Sequence, residues 1–455
     1  MQAQEDVIKA LDSKTSQYED IALQIWQWAE LGYKEVQSAA LLQETLAGEG
    51  FRIQKGVAGI PTAFIAEYGS GGPVIGILGE FDALPGLSQK AIPQKESAGG
   101  VGGHACGHHL FGTASAAAAI AAKNWLESEG QQGTIRFYGT PAEEGGGAKV
   151  YMTRAGLFDD VDVTLHWHPG DRNDASASAS LANISAKFRF HGISAHAAGA
   201  PHKGRSALDG VEAMNAMVNL MREHIPERAR IHYVITDGGK APNVVPDYAE
   251  VYYYARHNSR DVVSDIFARI VKAAEGAALG TGTEMEYEIV NGVYELLPNV
   301  RLQRIVHKNL ETVGGVSYSQ EEMAFATEIS KTLGSDPLQA NIAREVQPFK
   351  TESRAYGSTD VGDVSFVVPT AGIRIATWVP GTPAHSWQAV AAGGTSIGLK
   401  GMMVAAKTMA TTAIDLFENP KAIEEAKVEF LERRGADFIY IPLLGDRPPA
   451  LDYRD

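Results

Sequence analysis

The chain has 455 residues, of which 44% are hydrophobic and 21% are charged. One hydrophobic core rarely organises a chain of this length, so we expect two domains. The formal net charge of −15 argues against nucleic acid or an anionic membrane as a partner. No apolar run approaches the roughly 18 residues that cross a bilayer. These properties are typical of a soluble globular protein.

The cysteine count and the first residues bear on the compartment. Cys106 is the only cysteine, which excludes an internal disulfide. The opening "MQAQEDVIKALDSKTSQYEDIALQIWQWAE" lacks the basic and apolar regions of a signal peptide. We therefore expect a cytoplasmic protein, with the periplasm as the alternative if a signal peptide has been trimmed.

The first part of the chain alternates between helical and strand-like patterns. An amphipathic helix is predicted over Asp6–Leu31, followed by the strand-like runs "TAFIAEYG" and "PVIGILGEFDALPG". The second run is almost continuously apolar, as in a strand buried on both faces. A helix over Leu110–Ser128, the strand "GTIRFYGT", a helix around Ala148–Ala155 and the strand "VDVTLHWHP" follow. This alternation predicts an α/β sheet with helices on both sides.

The pattern changes near Asn183. The strand "ISAKFRFHG" is followed by the helix "SALDGVEAMNAMVNLMREHI", the strands "RIHYVITDG" and "AEVYYYARH", the helix "RDVVSDIFARIVKAAEGAAL" and the strand "EMEYEIV". The order βαββαβ is that of a ferredoxin-like unit. We therefore predict an inserted domain over residues 183–297, between two parts of a first domain at 1–182 and 298–455. The second part is expected to end with the strand "AGIRIATWV" and a helix over Thr395–Phe417.

Side chains with chemical potential follow several predicted strands. Ligands of open α/β sheets gather outside the carboxyl ends of the strands, so such side chains can converge although they are far apart in sequence. The candidates are Glu80 and Asp82 in "GEFDALP", Cys106 and His108 in "HACGHH", Glu143 and Glu144 in "PAEEGGG", His166 and His168 in "LHWHP", and His385 in "GTPAHSW".

The donor types favour a transition-metal site. A thiolate, imidazoles and carboxylates together suit zinc, manganese, cobalt or nickel better than calcium or magnesium. Cys106 and His108 are one residue apart in a glycine-flanked loop, so both can face one cavity. In the adjacent pair Glu143 and Glu144, one carboxylate can bind metal while the other stays free as a general base. A lone cysteine is more often a small buried hydrophobe, but five donor sites at strand ends together favour metal.

These motifs resemble the dimetal aminoacylase and carboxypeptidase family of amidohydrolases, in the branch with N-acyl-amino-acid and indole-acetyl-amino-acid hydrolases. The stretches that carry the resemblance span nearly the whole chain; they include "GEFDALPGLSQ", "GGHACGHHLFGTA", "GTIRFYGTPAEEGGGAK", "HGISAHAAGAPHKGRSALD", "APNVVPDYAEV", "GSTDVGDVS" and "GTPAHSWQAVAAGGTSIGLKGM". The resemblance implies an α/β dimetal exopeptidase-like catalytic domain, with a mixed sheet flanked by helices. It also implies that the inserted ferredoxin-like α+β domain serves as a dimerisation domain and lid.

The resemblance also implies a ligand set for two divalent ions per subunit, Mn²⁺ or Zn²⁺. In that branch a cysteine replaces a bridging aspartate, so Cys106 would bridge the two ions. His108 would complete the shell of one ion, and Glu144 and His385 would bind the other. The family's last histidine follows the aspartate of a Val-Asp pair by six residues. Here that aspartate is Asp162, which selects His168 as the ligand and leaves His166 as the runner-up.

Catalytic and substrate-binding roles follow from the same likeness. Glu143 would take a proton from water and return it to the leaving amine. His196, reaching in from the inserted domain of a partner subunit, would stabilise the oxyanion. Asp82 would orient a ligand histidine. Asn243 and Arg256 would hold the substrate, and a guanidinium suits a carboxylate because the two pair bidentately.

Two departures from the family pattern concern the pocket. Glu80 stands where this branch commonly has Asp, and His109 stands where it commonly has Asp or Asn. Both positions bear on fine substrate specificity and neither belongs to the five expected ligands.

The expected activity is cleavage of an amide bond to an amino acid, with an N-acyl or aminobenzoyl glutamate as the substrate. A broader N-acyl-amino-acid hydrolase or dipeptidase is the alternative among enzymes. A non-catalytic metal- or ligand-binding homologue is the alternative from another class, and the presence of Glu143 counts against it. We expect a homodimer formed through the inserted domain, with a hetero-oligomer containing a paralogous subunit as the alternative.

Overall fold

The computed structural model describes residues 2–334, 337–354 and 356–454. The part before the inserted unit contains α1 (Gln2–Ser13), α2 (Thr15–Trp28), α3 (Val36–Gly48), β1 (Arg52–Lys55), β2 (Phe64–Ser70), β3 (Val74–Gly79), β4 (Leu84–Pro85), β5 (Gly102–Gly103), α4 (His108–Glu129), β6 (Gly133–Gly139), α5 (Ala148–Arg154), β7 (Val163–Gly170) and β8 (Ser178–Ala179). The inserted unit contains β9 (Ala182–His191), α6 (Ala207–Met221), β10 (Arg230–Asp237), β11 (Tyr248–His257), α7 (Arg260–Thr281) and β12 (Glu284–Val293).

The remaining elements return to the first domain. They are α8 (Val300–Val313), α9 (Gln320–Leu333), β13 (Ser353–Arg354), α10 (Val361–Ser365), β14 (Thr370–Ala376), α11 (Trp387–Gly393), α12 (Ser396–Glu418) and α13 (Pro420–Arg434). Short 3₁₀ turns lie at Val57–Gly59, Pro201–Lys203, Arg222–His224 and Pro337–Arg344.

The main sheet has six strands in the order β1-β2-β6-β3-β7-β14. The pairs β6–β3, β3–β7 and β7–β14 are parallel, whereas β1 and β2 join the sheet antiparallel. This mixed sheet with helices on its faces confirms the predicted fold class. Because four neighbouring strands run in the same direction, their carboxyl ends share one edge, and the segments after them can meet there.

The helix α4 lies in the centre of the first domain. Nearly all of its residues are buried, and its alanines let it approach the sheet on one side and α12 on the other. The predicted boundaries of α4 and α12 agree with the structure to within two residues. No single helix in the described ranges has both the length and the hydropathy to cross a bilayer; α11 and α12 reach them only jointly, and they are bent by 73°.

The first helix differs from its prediction, because α1 and α2 are separate and the second ends at Trp28. The break lies at Lys14, whose backbone leaves the helical region. The side chain of Ser13 donates a hydrogen bond to the carbonyl of Ala10 at 2.7 Å, a local contact that competes with helix continuation. Hydrophobic periodicity runs through the break, and it therefore predicts one helix.

The inserted unit, which we call the lid, is a four-stranded antiparallel sheet in the order β10-β11-β9-β12. This is the strand order of a ferredoxin-like unit, with α6 and α7 packed on one face. The sheet begins at Ala182 and ends at Val293, and the predicted interval of residues 183–297 covers it apart from its first residue. The strand β10 forms one edge and exposes Val234 and Ile235.

Candidate metal centre

Cys106 lies in a sharp turn immediately before α4. Gly107 has a φ of 74°, and a Cβ added there would lie 2.7 Å from the side chain of Pro169 on β7. Only glycine satisfies both the left-handed backbone and this close approach without strain. The turn places Cys106 against β7 and starts α4 at His108, so both side chains are buried at the carboxyl edge of the sheet.

Cys106, His108 and His168 form a first group of donors, one ligand atom of each lying within 4.8 Å of the others. The Sγ of Cys106 is 3.4 Å from Nε2 of His168. The Nδ1–H of His168 donates to the carbonyl of Pro169 at 2.7 Å, which leaves Nε2 as the free lone pair facing the sulfur. This arrangement, with one ring nitrogen held by an oxygen acceptor, is typical of metal-ligating histidines.

Cys106 also belongs to a second group, with Glu144 and His385. Nε2 of His385 is 3.0 Å from Oε1 of Glu144. The backbone N–H of His385 donates to the carbonyl of Ala105 at 3.0 Å, so the loop before α11 is tied to the Cys106 turn. His385 has a φ of 60°, and a left-handed conformation at a non-glycine residue is the kind of strain that functional sites store.

Asp82 connects the two groups. It follows β3, and its Oδ1 accepts the Nδ1–H of His108 at 2.8 Å. Its Oδ2 accepts the backbone N–H of Glu144 at 2.9 Å. Burial alone would raise the pKa of Asp82, but His108 lowers it below its usual range. One buried carboxylate therefore orients a donor from each group.

A third group joins His108 to Glu80 and Glu143. Oε2 of Glu80 is 3.1 Å from Nε2 of His108, and the other oxygen of Glu80 is 2.7 Å from Nζ of Lys149. Lys149 is itself fully buried and also lies 2.7 Å from Asp360. Burial opposes the charge of Lys149, yet Asp360 and Glu80 raise its pKa above the usual value. The chain thus supplies a cation beneath the acidic cluster.

Glu143 lies at the centre of the excess negative charge. Removal from bulk water raises its pKa well above the usual range, and Glu80 and Glu144 raise it further. The buried atoms His108 Nε2 and Glu144 Oε1 make no hydrogen bond within the described part of the chain. Unsatisfied donor atoms beside uncompensated carboxylates fit divalent cations, which would supply both the missing charge and the missing partners.

The structure separates the two histidines of "LHWHP". His168 faces Cys106, whereas the ring of His166 covers Gly372 on β14, where an added Cβ would lie 2.2 Å from its Nε2. Burial, with a contribution from Lys149, lowers the pKa of His166 to about 3. The geometry therefore brings His168, and not His166, into the donor groups.

The other two histidines near Cys106 are buried structural groups. His104 lies with Nε2 3.1 Å from the carbonyl of Ile25, and His109 with Nε2 3.0 Å from the carbonyl of Gly393. Burial lowers the pKa of both, that of His104 to about 3. His109 thus packs against α11 rather than joining the donor groups.

Sequence reasoning missed the residue that holds the loop of Glu143 and Glu144. Ala142 has a φ of 53°, and its backbone N–H donates to Oε1 of Glu35 at 2.8 Å. Burial, followed by the charge of Asp82, raises the pKa of Glu35 to about 8. Glu35 lies outside the family motifs, and a glutamate ahead of a helix carries no pattern that predicts burial.

The remaining predicted residues lie in the lid. His196 is exposed, and its Nδ1 accepts the backbone N–H groups of Ala198 and Gly199 at 3.2 and 3.1 Å. The carbonyl of Asn243 accepts the N–H of Ala197 at 3.1 Å, so the two predicted residues lie in adjoining loops. His196 belongs to none of the three donor groups, which were found within the described residues of this one chain.

Arg256 lies on the polar face of β11. Its guanidinium stacks on Tyr254, with 5.1 Å between Cζ and the ring centroid, and its buried Nε has no hydrogen-bond partner among the described residues. A cavity of about 430 Å³ opens beside His385, with Lys95, Trp387 and Gln89 in its wall. Both features leave space and unpaired donors for a small polar ligand.

A mixed sheet with a donor cluster at its carboxyl edge and a ferredoxin-like lid defines a two-domain metallohydrolase architecture. A family model described as the peptidase dimerisation domain matches residues 181–281. One of the two named subunits of the p-aminobenzoyl-glutamate hydrolase of Escherichia coli (strain K12) is 45% identical over 92% of this chain and 93% of its own length. The Xaa-Arg dipeptidase of Mus musculus is 30% identical over 89% of this chain and 87% of its own length.

Solved structures share the fold. An aminobenzoyl-glutamate utilization protein from Klebsiella pneumoniae superposes with a TM-score of 0.62 at 18% identity, covering 90% of this chain and 98% of that one. A dinuclear metal-binding peptidase of the M20 family from Bacillus subtilis gives a TM-score of 0.61 at 17% identity, covering 90% and 99%. The chain belongs to the M20 family of metal-dependent amidohydrolases.

The contacts of Asp82 give a first prediction. In Asp82→Asn, one amide group must replace two acceptor oxygens, so either His108 or Glu144 loses its partner. We expect turnover of an amide substrate to fall by about 10–100-fold, while circular dichroism stays native. The exposed Asp159→Asn serves as the control and should keep full turnover. Native turnover in Asp82→Asn would show that Asp82 does not orient the donors.

Proposed function

We propose that this chain hydrolyses the amide bond of an N-acyl glutamate, with p-aminobenzoyl-glutamate or a close analogue as its substrate. The observation that carries the proposal is the convergence of five donors in two groups that share Cys106, next to the separate carboxylate of Glu143. The choice of acyl group is supported by the 45% identity to a relative named for p-aminobenzoyl-glutamate.

We propose two divalent ions per subunit, Mn²⁺ or Zn²⁺, held by Cys106 with His108 and His168 on one side and by Cys106 with Glu144 and His385 on the other. The mixed sulfur, nitrogen and oxygen set suits these metals. When bound, such ions act as Lewis acids towards a carbonyl oxygen and lower the pKa of water. The dinuclear peptidase of the same fold supports a pair of ions rather than one.

The residues of the chain divide the remaining work. Glu143 accepts the proton of the attacking water and returns it to the leaving amine nitrogen, so the same carboxylate serves as base and then as acid. Its surroundings favour a pKa above the usual glutamate range, which suits both steps near neutral pH. Asp82 holds His108 in one tautomer, and the turn at Gly107 keeps Cys106 fixed.

The lid supplies the substrate contacts in this proposal. The unpartnered Nε and the charge of Arg256 suit a substrate carboxylate. His196 and Asn243 lie in adjoining exposed loops, so a neighbouring copy of the chain can receive them. We propose that His196 stabilises the oxyanion in the partner's site, and that the lid rotates near Asn183 and Leu297 to close over the substrate.

A homodimer through the lid is supported by the free edge of its sheet. The strand β10 is an edge strand and exposes Tyr233, Val234 and Ile235, and an edge of this kind favours pairing with a symmetric copy. The match to a peptidase dimerisation domain supports the same region. The alternative is a hetero-oligomer, since the Escherichia coli hydrolase is named with two different subunits, and its other subunit is 26% identical over 63% of this chain.

The substrate proposal predicts the outcome of a hydrolysis screen. With added manganese or zinc, the protein should release glutamate from p-aminobenzoyl-glutamate faster than it cleaves hippurate, indole-acetyl amino acids or Xaa-Arg dipeptides. Glu143→Gln should keep its metal and lose turnover by several orders of magnitude, about 10²–10⁴-fold or more. The exposed Glu275→Gln is the matched control. Preference for a dipeptide would assign the chain to the dipeptidase alternative.

The metal proposal predicts a stoichiometry and its dependence on pH. Elemental analysis should find close to two divalent ions per chain, with at least one lost in Cys106→Ser and in His168→Ala but none in His166→Ala. Burial, and then the charge of Glu144, raises the pKa of the Cys106 thiol, so binding must displace its proton. Apparent affinity should therefore increase with pH, and Cys106→Asp should flatten this increase. Unchanged metal content in Cys106→Ser would contradict the bridging role.

The composite site predicts complementation between the two chains of a dimer. Glu143→Ala and His196→Ala chains should each be inactive alone. When they are unfolded and refolded together, hybrid dimers should regain partial activity, because one of their two sites would be intact. Mixed dimers that stay inactive would show that His196 acts within its own chain or has no catalytic role.

A further inference from the structure

The last described segment of the chain crosses from the lid to the donor cluster. Residues 436–454 follow α13, and Tyr440 donates a hydrogen bond to Oδ1 of Asp363 at 2.7 Å. Further along, Arg447 donates to the carbonyl of Val290 on β12 at 2.9 Å. On the other side, Arg154 of α5 donates to the carbonyl of Arg447 at 3.0 Å. The segment is therefore anchored on both domains before it reaches the loop after β6.

Two side chains of this segment end on one backbone oxygen. The hydroxyl of Tyr453 donates to the carbonyl of Glu144 at 3.3 Å, and Nη2 of Arg454 donates to the same oxygen at 2.5 Å. The ring of Tyr453 packs edge-on against Tyr33, with 5.5 Å between centroids. A Cβ added at Gly32 would lie 2.1 Å from the Tyr453 hydroxyl, so the chain leaves room for this side chain only by having glycine there.

The receiving loop needs such restraint. "PAEEGGG" contains three consecutive glycines, and Gly145 and Gly147 have φ values of 103° and 70°. A glycine-rich loop loses much conformational entropy when it is fixed in one geometry. The N–H of Glu144 is held by Asp82 and its carbonyl by Tyr453 and Arg454. With both flanking peptide groups held, the carboxylate of Glu144 is directed towards His385.

We propose that Tyr453 and Arg454 are positioning residues for the half of the metal centre formed by Glu144 and His385. This inference rests on the proposed role of Glu144 as a ligand. The other half, around His108 and His168, is oriented by Asp82 and by the carbonyl of Pro169, without contact from this segment. Loss of the two donors should therefore weaken one ion and spare the other.

The test compares metal binding in full-length variants stripped with a chelator. The double substitution Tyr453→Phe with Arg454→Met removes both donors and keeps the side-chain bulk. Titration calorimetry with Zn²⁺ or Mn²⁺ should show one of two ions bound about 10–100-fold more weakly and the other essentially unchanged. Arg454→Lys, which keeps a charged donor, should restore part of the affinity. The exposed neighbour Asp452→Asn should bind both ions as the wild type does.

Two further measurements separate positioning from general destabilisation. In metal-free protein, amide hydrogen exchange should increase in peptides covering residues 143–147 and not in those covering 104–109. When Glu144→Ala is already present, the double substitution should weaken the remaining ion no further, because the orientation of Glu144 is its only route to the metal. Equal weakening of both ions, or unchanged exchange in the loop, would overturn the inference.

The reference variant distinguishes this inference from the proposed function. If Glu144→Ala loses an ion while the double variant binds both normally, the positioning role is wrong and the proposed metal centre stands. If Glu144→Ala itself binds both ions normally, the ligand assignment fails, and the inference fails with it.

Discussion

The structure depends on the compensation of negative charge at the carboxyl edge of the main sheet. Glu80, Asp82, Glu143 and Glu144 all face the surroundings of His108, and removing such groups from water is unfavourable unless opposite charge is close. Lys149 supplies one buried cation from below. Two divalent ions would supply the rest, which explains why donors with unsatisfied atoms remain at this edge.

This constraint explains why rigid elements carry the donors. Asp82 follows a buried strand, Cys106 precedes a buried helix and His168 lies within β7, so each position is set by the packing of the core. Glu144 and His385 lie in loops instead, and both loops carry strained backbone. These two loops are tied by long-range contacts, one to Asp82 and one to the Cys106 turn. A site of this kind needs support beyond its ligands, because small displacements change both metal affinity and reactivity.

The lid and the 436–454 segment extend the same logic outward. The lid presents Arg256 and the loop of His196 on a separate sheet, which can move without disturbing the donors. The segment contacts β12 of the lid at Arg447 and the Glu144 loop at Arg454. It therefore lies where movement of the lid and the geometry of one metal-binding half would meet. The free edge at β10 lies at the other side of the lid sheet, away from β12.

Much of the architecture follows from local patterns. The strands of both sheets, the order of the lid and the extent of α4 were predictable because alternation, helical periodicity and glycine boundaries are local properties. The break between α1 and α2 was not, because the apolar spacing continues through Lys14 while the side chain of Ser13 interrupts the helix. The choice between His166 and His168 could not come from periodicity either, because two residues apart on a strand share one face.

The sequence by itself determined the types of donor, their positions after the strands of a parallel sheet, and the inserted lid. Each of these is written in a short stretch, and the motifs resembled one family throughout. Only the tertiary structure decided which other groups support the site. Lys149, Glu35 and Arg454 are of residue types that usually remain in water, so their sequence context predicts exposure. Their burial or contact at this edge comes from partners far away in the chain, Asp360, Ala142 and Glu144, and only packing brings such pairs together.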